Sequence, residues 1–317
     1  MTPLTRSHRR PSPAAILLIP LAVAVVLTLF AWPNARLEPR DVPVGVAGAP
    51  ALEKRLGAAG DAFEVHRYAS ASAARDAVED REVYGAFVAT AAGPKVLVAS
   101  AASPAISQAL THAASDLEAP VEDVVAAKPA GTGLAASVLP LVLAGILTGA
   151  ASAALATGGL RRAGLVLAGS LLAGLTATAI IQSWLDIVGG DWLVNAGVLS
   201  LAVLAIAATV TGFEALLGKA GLALAAVTMI LVGNPFSGVS TGPEMLPEPA
   251  GALGQLLPPG AGGNLLRSTG FFDGAAAGGH VAVLGAWVIL GFGALLVASL
   301  RDRRPAAAAV PAPRLIT

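Results

Sequence analysis

The sequence contains no cysteine, carries charge on only 13% of its residues and draws only 4% of them from the aromatics. Without cysteine there are no disulfides, thiol nucleophiles, iron–sulfur ligation or cysteine-based zinc sites. Ordinary soluble domains carry about 25% charged residues, so this chain is short of the polar surface that a water-soluble globule needs. Its formal net charge is zero. No overall field therefore draws in nucleic acid, and none is expected as a partner. Few rings, together with 36 glycines and 22 prolines in 317 residues, also argue against a compact soluble enzyme core.

What the chain has is apolar length, with hydrophobic types at 55% and a mean hydropathy of +0.74. A transmembrane helix needs about 20 mostly apolar residues. Six stretches qualify: Ala14–Trp32, Leu134–Ala156, Ala163–Trp184, Trp192–Gly212, Ala220–Gly233 and His280–Leu300, the fifth being the shortest. Arg6, Arg9 and Arg10 precede the first run, which exceeds the usual ~7–15 apolar residues of a signal peptide. Pro33-Asn34-Ala35 is a poor cleavage site, so the first run reads as an uncleaved anchor.

Lys and Arg in short loops set orientation. With the N-terminus inside, the cytoplasmic segments carry Arg6, Arg9 and Arg10, then Arg161 and Arg162, then Lys219, then Arg301, Arg303 and Arg304. The outer turn holds Asp186 and Asp191 and no basic residue, and Trp32, Trp184 and Trp192 fall at outer boundaries, where amphipathic rings prefer to sit. The expectation is a multi-pass protein of the cell membrane with both termini cytoplasmic.

The fold class expected is an α-helical integral membrane protein of six spans, with an extracytoplasmic α/β domain inserted between the first and second. Residues 1–13 form a cytoplasmic tail, 14–32 the first span, 33–133 the domain and 134–233 spans two to five. Residues 234–279 form an outer Pro/Gly-rich loop with re-entrant character, 280–300 the last span and 301–317 a disordered tail. Within the domain, strands are expected at Val42–Val46, Phe63–Tyr68, Tyr84–Ala89 and Lys95–Ser100. Helices are expected at Ala51–Ala58 and Ser70–Glu79, and from Ser103-Pro104 to Leu117, where Ser caps and Pro opens the first turn. Strands alternating with helices make a small α/β unit.

Catalytic patterns are thin. Gly212–Ala220 has the wrong spacing for a phosphate loop and lacks the Ser or Thr after Lys219. Gly238-Val239-Ser240-Thr241-Gly242 meets the nucleophile-elbow pattern, but Pro235 and Pro243 flank it where a strand and a helix are needed. His8, His66, His112 and His280 are scattered and form no ligand pair, so no metal or other cofactor is expected. Asp76, Glu79, Asp80 and Glu82, with Arg75 and Arg81 among them, read as a solvated face. The span centres hold no ionisable residue. Gln182, Asp186, Asn195 and Glu214 lie near span ends, where reaching the interface is cheap.

The layout resembles type-2 ABC exporter permeases, and within them the subgroup near the Pip-like (phage infection protein) membrane proteins. The residues that carry the resemblance are Val83-Tyr84-Gly85-Ala86 with Val96-Leu97-Val98-Ala99-Ser100-Ala101, and Gly233-Asn234-Pro235-Phe236-Ser237-Gly238 followed by Leu256-Leu257-Pro258-Pro259-Gly260. The resemblance implies a permease subunit that moves an amphipathic or lipid-like substrate, as a homodimer or a heterodimer of permease subunits in membrane lipid. A separate cytoplasmic ATPase subunit would dock near Arg161 and Arg162. The candidate path and loop positions are Gln182, Asn195, Glu214, Asn234, Pro235, Pro258, Pro259 and Arg267. A different class of function remains open: a non-transporting receptor or scaffold whose outer domain binds a ligand or protein. No catalytic set points to an enzyme.

Overall fold

Apolar runs in lipid must satisfy every backbone polar group internally, and the helix does this within one segment. The computed structural model describes residues 13–57, 60–131 and 133–302. The basic residues Arg6, Arg9, Arg10, Arg303 and Arg304, His8 and positions 303–317 of the expected disordered tail lie outside the described residues, whereas Arg301 and Asp302 of that tail are helical. The chain opens with α1 (Pro13–Ala35), then enters the α/β domain through β1 (Val42–Ala47), α2 (Pro50–Gly57), β2 (Phe63–Arg67) and α3 (Ala71–Glu79). The domain continues with β3 (Gly85–Thr90), β4 (Gly93–Val98), α4 (Pro104–Ser115) and β5 (Val121–Asp123).

The sheet is mixed, in the order β2-β1-β3-β4-β5, with β3 and β4 antiparallel and the other pairs parallel. Its two faces are covered separately. Ala74, Ala77 and Val78 of α3 pack against Ala86, Val88 and Leu97, while Ile106, Leu110 and Ala114 of α4 pack against Val44, Phe87 and Val96. Both helices start on a serine cap: Ser70 Oγ accepts from Ala73 N at 3.1 Å, and Ser103 Oγ from Ile106 N at 3.2 Å. The four expected strands are present within two residues, and the fifth, β5, is an addition. Its Val-Glu-Asp triplet is too short and polar to stand out, and pairing with β4 is what makes it a strand.

Beyond the domain come α5 (Gly133–Leu155), then α6 (Gly159–Thr178), which a π-helical turn extends over Ala179–Trp184, then α7 (Trp192–Leu217). Next are α8 (Lys219–Val227), extended by a second π-helical turn over Thr228–Gly233, α9 (Ala250–Gln255), α10 (Pro258–Phe271) and α11 (Ala277–Asp302). Among the described residues five helices are long and apolar enough to cross a membrane, and Lys219–Gly233 is a shorter apolar helix. The chain is therefore a mostly helical, multi-pass membrane protein with a small mixed sheet.

Helix α7 is the axis of the bundle: 67% of its most apolar window is buried, against 28% for α5 and α6 and 22% for α11. Lipid offers no hydrophobic drive for helices to associate, so close backbone approach through small residues has to supply it. Here the alanine- and glycine-rich spans are used in that way. A methyl group at Gly145 would meet Ile206 Cβ at 2.6 Å, one at Gly174 would meet Ser200 N at 2.4 Å, and one at Gly291 would meet the Ala208 carbonyl carbon at 2.3 Å. By contrast, only 6% of the α1 window is buried, and Leu17, Ile19 and Leu27 are exposed.

The Pro/Gly-rich segment 234–279 is structured. Helix α10 opens on Pro258 and Pro259, where a missing N–H leaves no bond unmade. It is buried among α5, α7 and α11, and its residues Gly260, Ala261, Leu265, Leu266, Arg267 and Ser268 are nearly or wholly covered. Protein thus encloses a short helix whose backbone ends lipid would not tolerate.

Candidate functional site

The α/β domain is fastened to the 234–279 segment by a buried polar network. Arg81 starts it from an unusual position. It follows α3 with φ +60, Glu82 N reaches Ala77 O at 2.9 Å and Arg81 N reaches Val78 O at 3.3 Å. This is the helix-ending geometry that glycine normally fills, and a side chain there costs about 1–2 kcal/mol. The geometry turns the guanidinium away from the acidic face that surrounds it in sequence. Its Nη1 donates to Asn264 O at 3.2 Å and to Ser268 Oγ, and the guanidinium lies 5.2 Å from the Phe272 ring centroid. The reading of Arg81 as part of a solvated face is corrected, whereas Asp76, Glu79, Asp80 and Glu82 are exposed as expected. Burial pushes the Arg81 pKa down, and the nearby Tyr84 and Glu244 partly offset this.

Tyr84 completes the fastening by donating from its hydroxyl to Glu244 Oε2 at 2.6 Å. Burial, then the charge and the hydrogen bond of Glu244, raise its pKa well above the ordinary phenol value. Ser103 Oγ donates to Thr241 O at 2.6 Å, and Arg40 N to Glu244 O at 3.0 Å. Arg267, on the other side of Asn264, donates from Nη1 to Asn264 Oδ1 at 2.7 Å and from Nη2 to Val239 O at 2.5 Å. Asn264 Nδ2 in turn donates to Gln255 Oε1 at 2.7 Å. Arg267 is thus a buried brace of the loop, 3% exposed.

Two clefts meet below this network. The first is a polar cavity of about 210 Å³ between α1, α5 and the turn after the π-helical end of α8; Asn34, Asn234, Pro235, Ser237 and Ser240 line it. The second is a narrow apolar cleft of about 20 Å³ between α5, α7 and α10, walled by Leu134, Leu141, Pro258, Pro259 and Leu266. Val138 of α5 belongs to both. The apolar cleft has room for roughly one water molecule, so it is closed to any larger guest unless α5 and α10 separate. Ser240 is exposed on a turn with no strand before it and no helix directly after it, so the elbow geometry is absent.

Gln182 and Asn195 come together nearby. Asn195 is fully buried; its Nδ2 donates to Gln182 Oε1 at 2.9 Å and Gly189 O at 2.7 Å, and its Oδ1 accepts from Thr269 Oγ1 at 2.7 Å. Gln182 Nε2 donates to Gly190 O at 2.9 Å. The group joins α6, α7 and α10. Thr269 was not among the positions expected from sequence, because nothing local signals a partner 74 residues away.

At the opposite end of the bundle Arg162 and Glu214 form a pair of their own. Arg162 Nη1 donates to Glu214 Oε2 at 2.8 Å, Nη2 to Ala153 O at 3.1 Å and Nε to Ala156 O at 3.1 Å. Arg162 thus faces into the bundle end, while Arg161 is exposed. Glu214 stands apart from Gln182 and Asn195, with which the sequence reading had grouped it. His66 lies 3.4 Å from Glu64, and His112 is exposed on α4. Among the described residues no group of three or more His, Asp or Glu side chains is arranged to hold a metal ion. Comparison with family models, curated proteins and solved structures found no match to this chain.

Proposed function

We propose that the chain is the membrane-spanning permease subunit of an ATP-driven exporter, working with a separate ATPase on an amphipathic or lipid-like substrate. The observation that carries the reading is the meeting, at Val138, of a polar cavity and a closed apolar cleft. Amides and hydroxyls without a charged group line the cavity, which suits a neutral or zwitterionic polar end. The cleft offers only aliphatic side chains and prolines, which suits a hydrocarbon tail once α5 and α10 part. The exposed α1 supports a second subunit that encloses the path, either another copy or a related permease.

In this reading Lys219–Gly233 is a sixth crossing. At 1.5 Å per residue, its 15 residues rise about 23 Å, short of the ~30 Å hydrocarbon core. The turn at Asn234–Ser237 would complete the passage where protein surrounds it. Both termini are then cytoplasmic. The exposed Arg161, rather than the engaged Arg162, is the docking contact for the ATPase.

The test is purification of the full chain in mild detergent from its own membranes, with identification of co-purifying proteins and assay of ATP hydrolysis. The reading expects a stoichiometric ATPase, weaker association in Arg161→Glu, and loss of substrate-stimulated hydrolysis in Val138→Trp. Recovery of an envelope protein bound to the α/β domain, with no ATPase, would replace it with the receptor or scaffold reading.

A further inference from the structure

The end of the bundle remote from the α/β domain pairs a polar pocket with an apolar groove. A pocket of about 380 Å³ surrounds the Arg162–Glu214 pair, and an apolar groove of about 660 Å³ runs between α6 and α11 along Leu160, Ala163, Leu167, Phe292 and Leu296. The two are contiguous, since Gly158, Gly159, Leu295 and Ser299 line both. A methyl group at Gly159 would lie 2.2 Å from Ser299 Oγ, so the absence of a side chain there is what lets α6 and α11 meet at the floor.

We propose that this site holds one anionic phospholipid, with its phosphate at Arg162 and an acyl chain in the α6–α11 groove. A guanidinium has five N–H bonds, and Arg162 spends three of them on Glu214, Ala153 and Ala156. One N–H on each terminal nitrogen is left without a partner among the described residues. Glu214 cancels only the charge of Arg162, and the exposed Arg161, Lys219 and Arg301 stand at the same end of the bundle. With Asp302 as the only other acid there among the described residues, the end is net cationic, which selects an anionic headgroup over a neutral one. From Leu160 to Leu167 the groove runs about 10 Å along α6, enough for the upper part of one chain.

The experiment uses the full chain in nanodiscs of equimolar phosphatidylglycerol and phosphatidylcholine, released for native mass spectrometry to count retained lipids. The wild type is expected to keep one phosphatidylglycerol with at least about five-fold preference. The double variant Arg162→Gln with Glu214→Gln replaces the ion pair by a neutral hydrogen-bonding pair, so no buried charge is orphaned. It is expected to retain lipid with the headgroup preference lowered at least about two-fold, the rest being supplied by Arg161, Lys219 and Arg301, and Ala163→Trp, which fills the groove, to lose the lipid. Circular dichroism and a monodisperse elution profile establish that both variants fold. No preference in the wild type, or a preference unchanged in both variants, overturns the proposal. Equal thermal stabilisation by inorganic phosphate alone overturns it in favour of a free anion. A change of oligomeric state in Ala163→Trp with the lipid count unchanged overturns it in favour of a contact between copies.

Discussion

Replacing Asn195 by Leu tests whether the buried polar group holds the helices together or serves a path. Its carboxamide makes three hydrogen bonds, to Gln182, Gly189 and Thr269, at 2.7–2.9 Å, and the residue is wholly buried. Hydrogen bonds between membrane helices average about 0.6 kcal/mol and reach about 1.7 kcal/mol, so the three together contribute about 2 kcal/mol. Leucine also leaves the Gly189 carbonyl without its side-chain donor, at a further ~1 kcal/mol. Thr269 loses less, because its hydroxyl still reaches Leu265 O at 3.3 Å. The expected destabilisation is about 3 kcal/mol, read by equilibrium unfolding in mixed micelles. A double-mutant cycle of Asn195→Ala with Thr269→Val should return a coupling of about 1 kcal/mol. Additivity within about 0.3 kcal/mol, with unfolding unchanged in the leucine variant, would refute the bracing role. A residue that only lines a path would show the reverse split: unchanged unfolding and altered transport.

Gly291→Ala should disrupt the α7–α11 crossing and lower stability by more than about 2 kcal/mol, because the new methyl would sit 2.3 Å from the Ala208 carbonyl carbon. Gly285→Ala on the same helix meets nothing within 4 Å and should be neutral or gain up to about 1 kcal/mol of helix propensity; the same unfolding assay checks both. Tyr84 has its pKa raised in the folded state, so its contribution is complete below an unfolded value of about 10 and is lost as pH rises through the folded one. Tyr84→Phe should remove that alkaline loss, and in Tyr68→Phe the one remaining tyrosine should ionise late by phenolate absorbance. Arg81→Gly should relieve the left-handed backbone yet free the domain from α10, giving faster proteolysis between domain and bundle than the wild type. Arg81→Met keeps the strained backbone, loses the same donors and should be cleaved as fast or faster.

The long apolar helices were legible because hydropathy reports directly on lipid and water. The runs at Leu134–Ala156 and His280–Leu300 became α5 and α11, and Ser103-Pro104 marked the start of α4 to the residue. The same local signals gave the domain's first four strands. Pairing was not legible. Arg162 and Glu214 are 52 residues apart, and each read as a boundary residue or a docking contact until the helices were brought together. Arg81 was hidden by its neighbours, since a basic residue among four carboxylates looks solvated. The signal that marks it is its place just past the end of α3, in a glycine-favouring position. Pro258 and Pro259 announced a helix start, but their burial follows from α7 offering Ala202 opposite Gly262, a long-range fit of small residues.

Helix α10 joins the two halves of this picture. It spans 14 residues, or about 21 Å. Its first turn walls the apolar cleft through Pro258 and Pro259, and its last turns hold Ser268, against Arg81, and Thr269, against Asn195. A helix moves as a rigid rod over such a length, so α5 and α10 cannot part at Val138 without either loading those contacts or carrying their partners along. The partners differ in kind: Arg81 belongs to the α/β domain, and Asn195 to the axis of the bundle. If the cleft opens while the Asn195 contact holds, the hinge lies near Thr269 and α10 pulls away from Arg81, leaving the domain in place. If the Arg81 contact holds instead, domain and α10 separate from the bundle together. A spin-label pair on α5 and α10, measured in Arg81→Met and in Asn195→Leu, separates the two, because only the variant at the restraining contact widens the distance distribution.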